Sequence, residues 1–198
     1  MAKRLFDIAL SIAGLAALLP FFLIIGLLIK LDSPGPVFFR QERVGRDFRR
    51  FSIYKFRSMY TGNSGPSLTA RGDKRVTRAG RILRRSKIDE LPQLINVLKG
   101  EMSFVGPRPE VEKYVGLFRE DYERLLKVRP GITDPASIRY SDEERILASS
   151  PDAEEDYIRH VLPEKLKLAA RYAAAPRLTA DVGIIVRTLL RIKGGGRA

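Results

Sequence analysis

Asp89 and Glu90 stand side by side in "RRSKIDELPQLINVLKG" (84–100), after a run of cations and before a proline-led apolar stretch. Arg81, Arg84, Arg85 and Lys87 precede the pair, and Arg108 follows inside "GPRP". Pro92 reads as the first residue of a helix that ends at Lys99, with Gly100 just past it. Both acids therefore fall immediately ahead of a helix N-terminus, where unpaired amides and the macrodipole favour negative charge. One such acid is explained as a cap, with Ser86 or Asp89 in that role. Two acids facing a basic cluster also suit phosphoryl chemistry. One carboxylate attacks phosphorus while nearby cations keep it ionised, giving an acyl phosphate; the other binds a metal or accepts a proton. Pro107 and Pro109 restrict the backbone around Arg108, whose fork matches two phosphate oxygens. The charge on a transferred phosphoryl group calls for a divalent ion, Mg²⁺ by its usual partners. No His/Cys cluster competes as a metal site, and the one histidine, His160, reads as a surface residue in a charged helix.

The rest of the chain must carry these groups to an anionic substrate. Its 198 residues hold one domain with a core, or a modest domain with an appendage. The lack of cysteine excludes disulfides, thiolate metal sites and cysteine nucleophiles. A formal charge of +13 calls for an anionic partner: nucleic acid, an acidic membrane surface or a phosphorylated small molecule. Ile8 to Ile29 contains no ionisable group and, as a helix, spans about 30 Å, the thickness of a bilayer's hydrocarbon. Pro20 lies near its middle, and Lys3, Arg4, Lys30 and Arg40 flank both ends. A simple span would strand one basic cluster outside, against the positive-inside tendency. A helix that breaks at Pro20 and returns keeps both ends on the cytoplasmic face; a proline within an ordinary spanning helix is the alternative.

Behind this segment, "RQERVGRDFRRFSIYKFRSM" alternates as a hairpin with "VGRD" at its turn and Phe51, Ile53, Tyr54 and Phe56 in its second strand. Its phenylalanines serve either a core or a lipid surface. "YTGNSGPSLTARGDKR" reads as a loop and "VTRAGRILRRSKI" as a basic helix with Val76, Ile82 and Leu83 inward. "MSFVGPRPE" is a short strand running into a fixed turn, 110–127 an amphipathic helix, and "VRPGIT" a further turn. Helical periodicity covers most of 141–175, interrupted near Ser149–Pro151 and Pro163. The tail Leu178–Lys193 gathers Val182, Ile185, Val186, Leu189 and Leu190 on one side, to lie in a membrane interface or to pack on the core. The fold class expected is α+β, mostly helical: a re-entrant membrane helix hairpin (1–31) and a small catalytic domain on the cytoplasmic face (32–198) with interfacial amphipathic helices.

"SPGPVFFRQERVG", "YKFRSM", "RRSKIDELPQLINVLKGEMSFVGPRPE" and "RPGIT", in this order behind an apolar N-terminal segment, resemble the bacterial sugar transferase family. The likeness covers about Leu5 to Ser141, in the small form without extra N-terminal membrane helices. The resemblance implies a monotopic phosphoglycosyl transferase of the bacterial inner membrane. It would move sugar-1-phosphate from a UDP-sugar to undecaprenyl phosphate and release UMP. By motif position Asp89 is then the nucleophile, Glu90 its dyad partner, and Mg²⁺ sits by Asp89. Lys55, Arg84, Arg108 and Arg129 fall at phosphate-holding positions, and Pro20 matches the helix-breaking proline. Arg139, in "DPASIRYSDEE", is a candidate for the nucleotide's phosphates, and Asp181 for the family's late acidic landmark. Selectivity for the sugar is expected in 61–73 and 134–160, and the apolar interfacial helix could support a homodimer. Two rival readings remain. A membrane-anchored basic module binding nucleic acid explains charge and anchor but not the acid pair; the enzyme reading has no nucleic-acid partner. Direct single displacement, with no covalent adduct, uses the same acids as bases.

Overall fold

The computed structural model describes residues 1–62, 72–148 and 150–193. Most of the expected selectivity loop, and Ser149, lie outside them.

Helix α1 (Ala2–Asp32) contains Pro20 and remains helical across it. Among the described residues it is the one helix long and apolar enough to cross a membrane, an 18-residue stretch of it having mean hydropathy 2.7. It is not a core helix. Asp7, Ser11 and Ile29 are buried on one stripe. Leu5, Leu19, Phe21, Leu23, Leu27 and Leu31 are each more than half exposed. So large an exposed apolar face marks an interaction surface and is consistent with association with a membrane.

Both ends of α1 are fastened to the same globular body. Near its start, Lys3 pairs with Asp181 and donates to the Val105 carbonyl (3.0 Å). Arg4 donates to the Val97 and Leu98 carbonyls (2.6 and 2.9 Å). Asp7 accepts from Ser103 Oγ and the Phe104 amide, both at 3.2 Å. At its end, Arg57 donates to the carbonyls of Ile29 (3.2 Å), Ser33 (2.7 Å) and Pro34. One guanidinium thus ties the last turn of α1, where Ile29 O also accepts the Ser33 amide, to the two residues that follow the helix. Asp32 Oδ2 accepts the Ala79 amide at 2.9 Å.

The expected hairpin forms. Strands β1 (Phe38–Val44) and β2 (Arg50–Phe56) pair antiparallel from Phe38↔Phe56 to Val44↔Arg50. Alternation along β2 sends Phe51, Ile53 and Lys55 to one face and Phe56 to the other. Ile53 packs with Val97 and Met102, and Phe56 with Ile29 and Leu83. The aromatics divide: Phe56 is core, whereas Phe38 and Phe39 are exposed.

Helix α2 (Arg78–Arg85) is capped by Thr77 Oγ1, which accepts the Gly80 amide at 2.9 Å. Ile82, expected inward, is exposed, and Leu83 alone of the pair is buried. After a tight 3₁₀ turn (Ile88–Glu90), α3 (Gln93–Lys99) begins one residue past the expected Pro92 and stops at Gly100, whose φ is +85°. Asn96 locks α3 to the hairpin: its Oδ1 accepts the Tyr54 amide (3.0 Å) and its Nδ2 donates to the Ser52 carbonyl (2.7 Å).

β3 (Ser103–Val105) pairs in parallel with β4 (Gly131–Thr133). The sequence suggests only a turn at "RPGIT", since three residues carry little strand signal. Glycine is required at the crossing, because a Cβ on Gly131 would overlap the Gly106 backbone and one on Gly106 the Arg129 carbonyl. The single helix expected over 110–127 is two, α4 (Glu112–Leu117) and α5 (Arg119–Leu125), meeting at Phe118. Next come α6 (Pro135–Arg139), α7 (Glu143–Ala148), α8 (Ala153–Asp156), a π turn (Tyr157–Val161) and α9 (Leu162–Ala174). Pro163 does not break this run: the helix is continuous from Ala153 to Ala174 and takes the wider π form over Tyr157–Val161, just ahead of the proline. Tyr114, Leu125, Tyr157 and Leu162 form the centre of the largest apolar cluster. α10 (Leu178–Lys193) closes the chain against β3 and α6, with Ile184 buried beside Val105 and Tyr172. Val182, Val186, Leu189 and Leu190 remain exposed on it. The architecture is thus α+β and mostly helical.

Candidate active site

Asp89 and Glu90 sit in the 3₁₀ turn that joins α2 to α3. Lys87, at φ +57°, ends α2 in the left-handed region and turns the chain into it. That conformation costs a non-glycine residue about 1 kcal/mol and tends to mark functional sites. The turn borders an open cleft of about 1870 Å³.

The two neighbouring acids have opposite surroundings. Glu90 is clamped. Lys55 Nζ donates to its Oε1 at 2.8 Å, and Arg108 grips both oxygens, Nη1 to Oε2 at 3.2 Å and Nη2 to Oε1. Burial alone would raise this carboxyl, but Arg108 and Lys55 hold it well below the usual range. In return Glu90 raises the Arg108 guanidinium, while burial lowers the Lys55 ammonium against the pull of Glu90. Asp89 is 6% exposed, and its Oδ1 is buried without a hydrogen-bond partner. Burial pushes its carboxyl up to about 6, the Glu90 charge adds to this, and Lys55, Arg84 and Lys87 oppose it. Asp89 thus remains mostly ionised at neutral pH yet is held by no donor at Oδ1, as a carboxylate nucleophile needs.

One wall of the cleft is cationic: Arg75, Arg78, Arg81, Arg84, Arg85 and Lys87 line it. Arg75 is paired with Asp73 (2.6 Å). Of the residues expected to hold phosphate, Lys55, Arg84 and Arg108 are gathered beside the acid pair. Arg129 lies away from the cleft lining, its Nε donating to the Gly100 carbonyl at 2.8 Å behind α3. Arg139 is exposed at the end of α6 and also outside the lining, where its charge is felt by Glu164. His160 is exposed and 3.8 Å from Asp156, as its helix suggests. Asp181, 1% exposed, accepts from Tyr172 (2.6 Å) and Lys3, a structural junction between α1, α9 and α10.

Sequence reasoning missed a second polar group in the cleft wall. Arg43 Nη1 meets Glu110 Oε2 (3.1 Å), and the Tyr157 hydroxyl donates to Glu110 Oε1 (2.6 Å). Lys165 Nζ donates to Tyr157 (3.2 Å) and to Glu143 Oε2 (2.7 Å). Burial would raise Glu110, but Lys165 and Arg43 hold it below the ordinary range. The signal lay in α9, where Lys165 occupies the buried stripe with Leu162, Leu166, Ala169 and Tyr172. A lysine on an apolar stripe requires a buried partner.

The site thus sets a carboxylate oxygen without a hydrogen-bond donor under a cationic wall, in a chain whose first helix exposes a long apolar face. The chain belongs to the bacterial sugar transferase family, whose sequence model matches residues 1–194. The exopolysaccharide production protein PSS of Rhizobium leguminosarum bv. phaseoli is 48% identical over 69% of this chain and 73% of its own. The undecaprenyl-phosphate glucose phosphotransferase of Komagataeibacter xylinus is 42% identical over 96% of this chain but only 36% of its own length. The UDP-glucose:undecaprenyl-phosphate glucose-1-phosphate transferase of Caulobacter vibrioides is 44% identical over 70% of this chain and 54% of its own. The chain therefore spans little more than a third to about half of the transferases so named.

Proposed function

We propose that the chain transfers a sugar-1-phosphate from a UDP-sugar to undecaprenyl phosphate through a covalent Asp89 phosphosugar. The observation that carries this reading is the contrast within the acid pair: Glu90 is fully engaged by Lys55 and Arg108, while Asp89 Oδ1 has no partner. Asp89 attacks the phosphorus that bears the sugar. An aspartyl oxygen–phosphorus bond forms, the bond to the bridging oxygen breaks, and UMP leaves with that oxygen. An oxygen of undecaprenyl phosphate then attacks the same phosphorus, restoring the Asp89 carboxylate and giving the undecaprenyl-diphosphate sugar. Two displacements replace one difficult transfer.

Glu90, kept ionised, is a poor proton acceptor, and its part in this scheme is to fix the Lys55 and Arg108 cations beside the phosphorus. Arg84 and the neighbouring basic wall hold the diphosphate. A magnesium ion fits the donors present. It takes one or two carboxylates and completes its shell with phosphate oxygens and water. Asp89 would hold it, and the ion would neutralise charge on the phosphates. Among the described residues no group of three or more acids and histidines forms a cage, so the substrate itself must supply ligands.

On this reading residues 1–31 are the membrane segment and 32–198 the catalytic domain, on the cytoplasmic face of the bacterial inner membrane. The fastening of both ends of α1 to one body supports a helix that enters the bilayer and returns. Because α1 is helical through Pro20 and not broken there as expected, the return would require a kink at that proline. The exposed apolar row of α10 would lie in the interface. The lipid acceptor's phosphate is confined to that boundary, and this arrangement brings Asp89 to it.

The test is incubation of the purified protein with Mg²⁺ and radiolabelled UDP-sugar without lipid acceptor. Label retained by the wild type and lost in Asp89→Asn is expected. An active enzyme that never retains label would leave direct displacement in place of the covalent route.

A further inference from the structure

The cleft has two chemically different walls. The wall described first is strongly cationic, Asp73 neutralising only Arg75, and suits a diphosphate. The other combines donors and acceptors: Gln41, Arg43, Glu110, Tyr157, Lys165 and Glu143 all line the same cavity as Asp89. A net-cationic wall suits phosphate oxygens, whereas an uncharged polyhydroxyl ring needs acceptors for its hydroxyl protons and donors for its oxygens in equal supply.

Two side chains on this wall are held at one end and open at the other. Gln41 Oε1 accepts Arg43 Nη2 at 2.8 Å, which directs the amide and leaves its NH₂ without a partner among the described residues. Glu143 Oε2 accepts Lys165 Nζ at 2.7 Å, and no partner meets its Oε1 among the described residues. The side chains behind them are themselves locked, since Arg43 and Lys165 connect through Glu110 and Tyr157. Lys165 and Glu110 are buried, while Glu143 retains about a quarter of its side-chain exposure. The network therefore presents one fixed donor and one fixed acceptor to the cleft, with little left to pay in side-chain ordering. Glu110 and Glu143 also act on the charge of Arg108, which joins this wall to the Glu90 clamp.

We infer that this wall is the subsite for the transferred sugar, with Gln41 donating to and Glu143 accepting from hydroxyl groups of the pyranose. The inference rests on the transfer reaction proposed above. It assigns the two ends of the UDP-sugar to different walls: diphosphate to the α2 side, sugar to the β1/α7 side. Residues that touch only the sugar should alter its use without altering nucleotide binding.

The experiment uses the full chain in nanodiscs with undecaprenyl phosphate and Mg²⁺. It measures kcat/KM for UDP-glucose, UDP-galactose and UDP-N-acetylgalactosamine, and the inhibition constant of UMP. For the best of the three donors, Glu143→Gln and Gln41→Leu are each expected to lower kcat/KM by about 10- to 100-fold, as loss of a hydrogen bond involving a charged or well-placed group does. UMP inhibition should stay within about twofold, and the ranking of the three donors should change in Glu143→Gln. Gln41→Leu keeps side-chain volume on a half-exposed strand position, so it remains informative should Glu143→Gln unsettle Lys165. Unchanged kinetics in Gln41→Leu, or UMP binding weakened in parallel with kcat/KM, overturns the subsite. A wild-type protein that turns over none of the donors and takes up no label overturns the transfer reaction itself, and the subsite with it.

Discussion

Replacing Asp89 by Asn should abolish sugar-phosphate transfer and at the same time stabilise the protein. The carboxyl rises from an ordinary 3.8 to about 6 on folding, chiefly through burial. An acid raised in this way binds its proton more tightly in the folded state. Ionising it therefore costs nothing below about pH 4, increasingly more between 4 and 6, and a constant amount above. Each pKa unit corresponds to about 1.4 kcal/mol, so the full cost above pH 7 is about 3 kcal/mol. Asparagine removes that cost with nearly the same shape, and since Oδ1 has no donor no hydrogen bond is lost there. For a chain of this size the gain corresponds to about 6–12 °C in apparent Tm at pH 7.5. The assay is thermal unfolding of both proteins in detergent, without divalent ion, at pH steps from 4 to 8. The difference should shrink towards zero near pH 4. An Asn variant that melts below wild type at pH 7.5, or a difference independent of pH, would refute the view that Asp89 is held ionised at the expense of stability. Such an expense is typical of functional groups.

Glu90→Gln should do the reverse and cost about 3–5 kcal/mol, because Lys55 and Arg108 keep their charges without the shared counter-ion. The depressed Glu90 carboxyl contributes its stability above its ordinary pKa and loses it as pH falls, so melts at pH 7.5 should separate the variant from wild type more than melts near pH 3. Adding Lys55→Met should recover part of the loss; no recovery would contradict the clamp. Arg57→Met strips the donor from three carbonyls at the end of α1 and should lower stability by about 2–4 kcal/mol, read from melting in detergent. A melt equal to wild type would show that the cap is dispensable. Gly131→Ala would drive a methyl into the Gly106 backbone and should prevent accumulation of folded protein. Gly183→Ala, with nothing within 4 Å of its new methyl, should stabilise α10 by about 0.5–1 kcal/mol. Equal expression and melting of the two alanine variants would refute the close crossing of β3 and β4.

What the sequence disclosed was what local chemistry encodes. The long apolar helix α1, the β1–β2 hairpin, α3 with Gly100 behind it, and the acids ahead of that helix each follow from composition or spacing within about twenty to thirty residues. Failures occurred where the deciding partner lay far along the chain. Strand β4 exists because Gly106 and Gly131 let two backbones approach, which no property of "RPGIT" alone announces. Ile82 looked like a core residue by type; α2 presents its neighbour Leu83 to Phe56 and Ile29 instead. Arg129 has the sequence neighbours of a phosphate ligand, and those neighbours do not announce the contact its Nε makes with the Gly100 carbonyl, 29 positions away.

The same distinction governs the acid pair. Adjacency in sequence makes Asp89 and Glu90 look interchangeable, and nothing local says which of them is free. Lys55 is 35 positions from Glu90 and Arg108 is 18. Once the hairpin and the "GPRP" turn bring both cations to Glu90, Asp89 is left buried with an unmet oxygen among arginines it does not neutralise. The proposed division of labour, one carboxylate to hold the cations and one to react, is thus written in tertiary contacts. Exchanging the two residues, Asp89→Glu with Glu90→Asp, would preserve composition, charge and motif character. The shorter side chain at 90 would lose reach to Lys55 and Arg108, and the longer one at 89 would displace the attacking oxygen by roughly one C–C bond. Positional errors of that size cost about a hundredfold in rate. A doubly exchanged enzyme with undiminished turnover would mean that the pair works by charge alone, not by the separate attachments of its members.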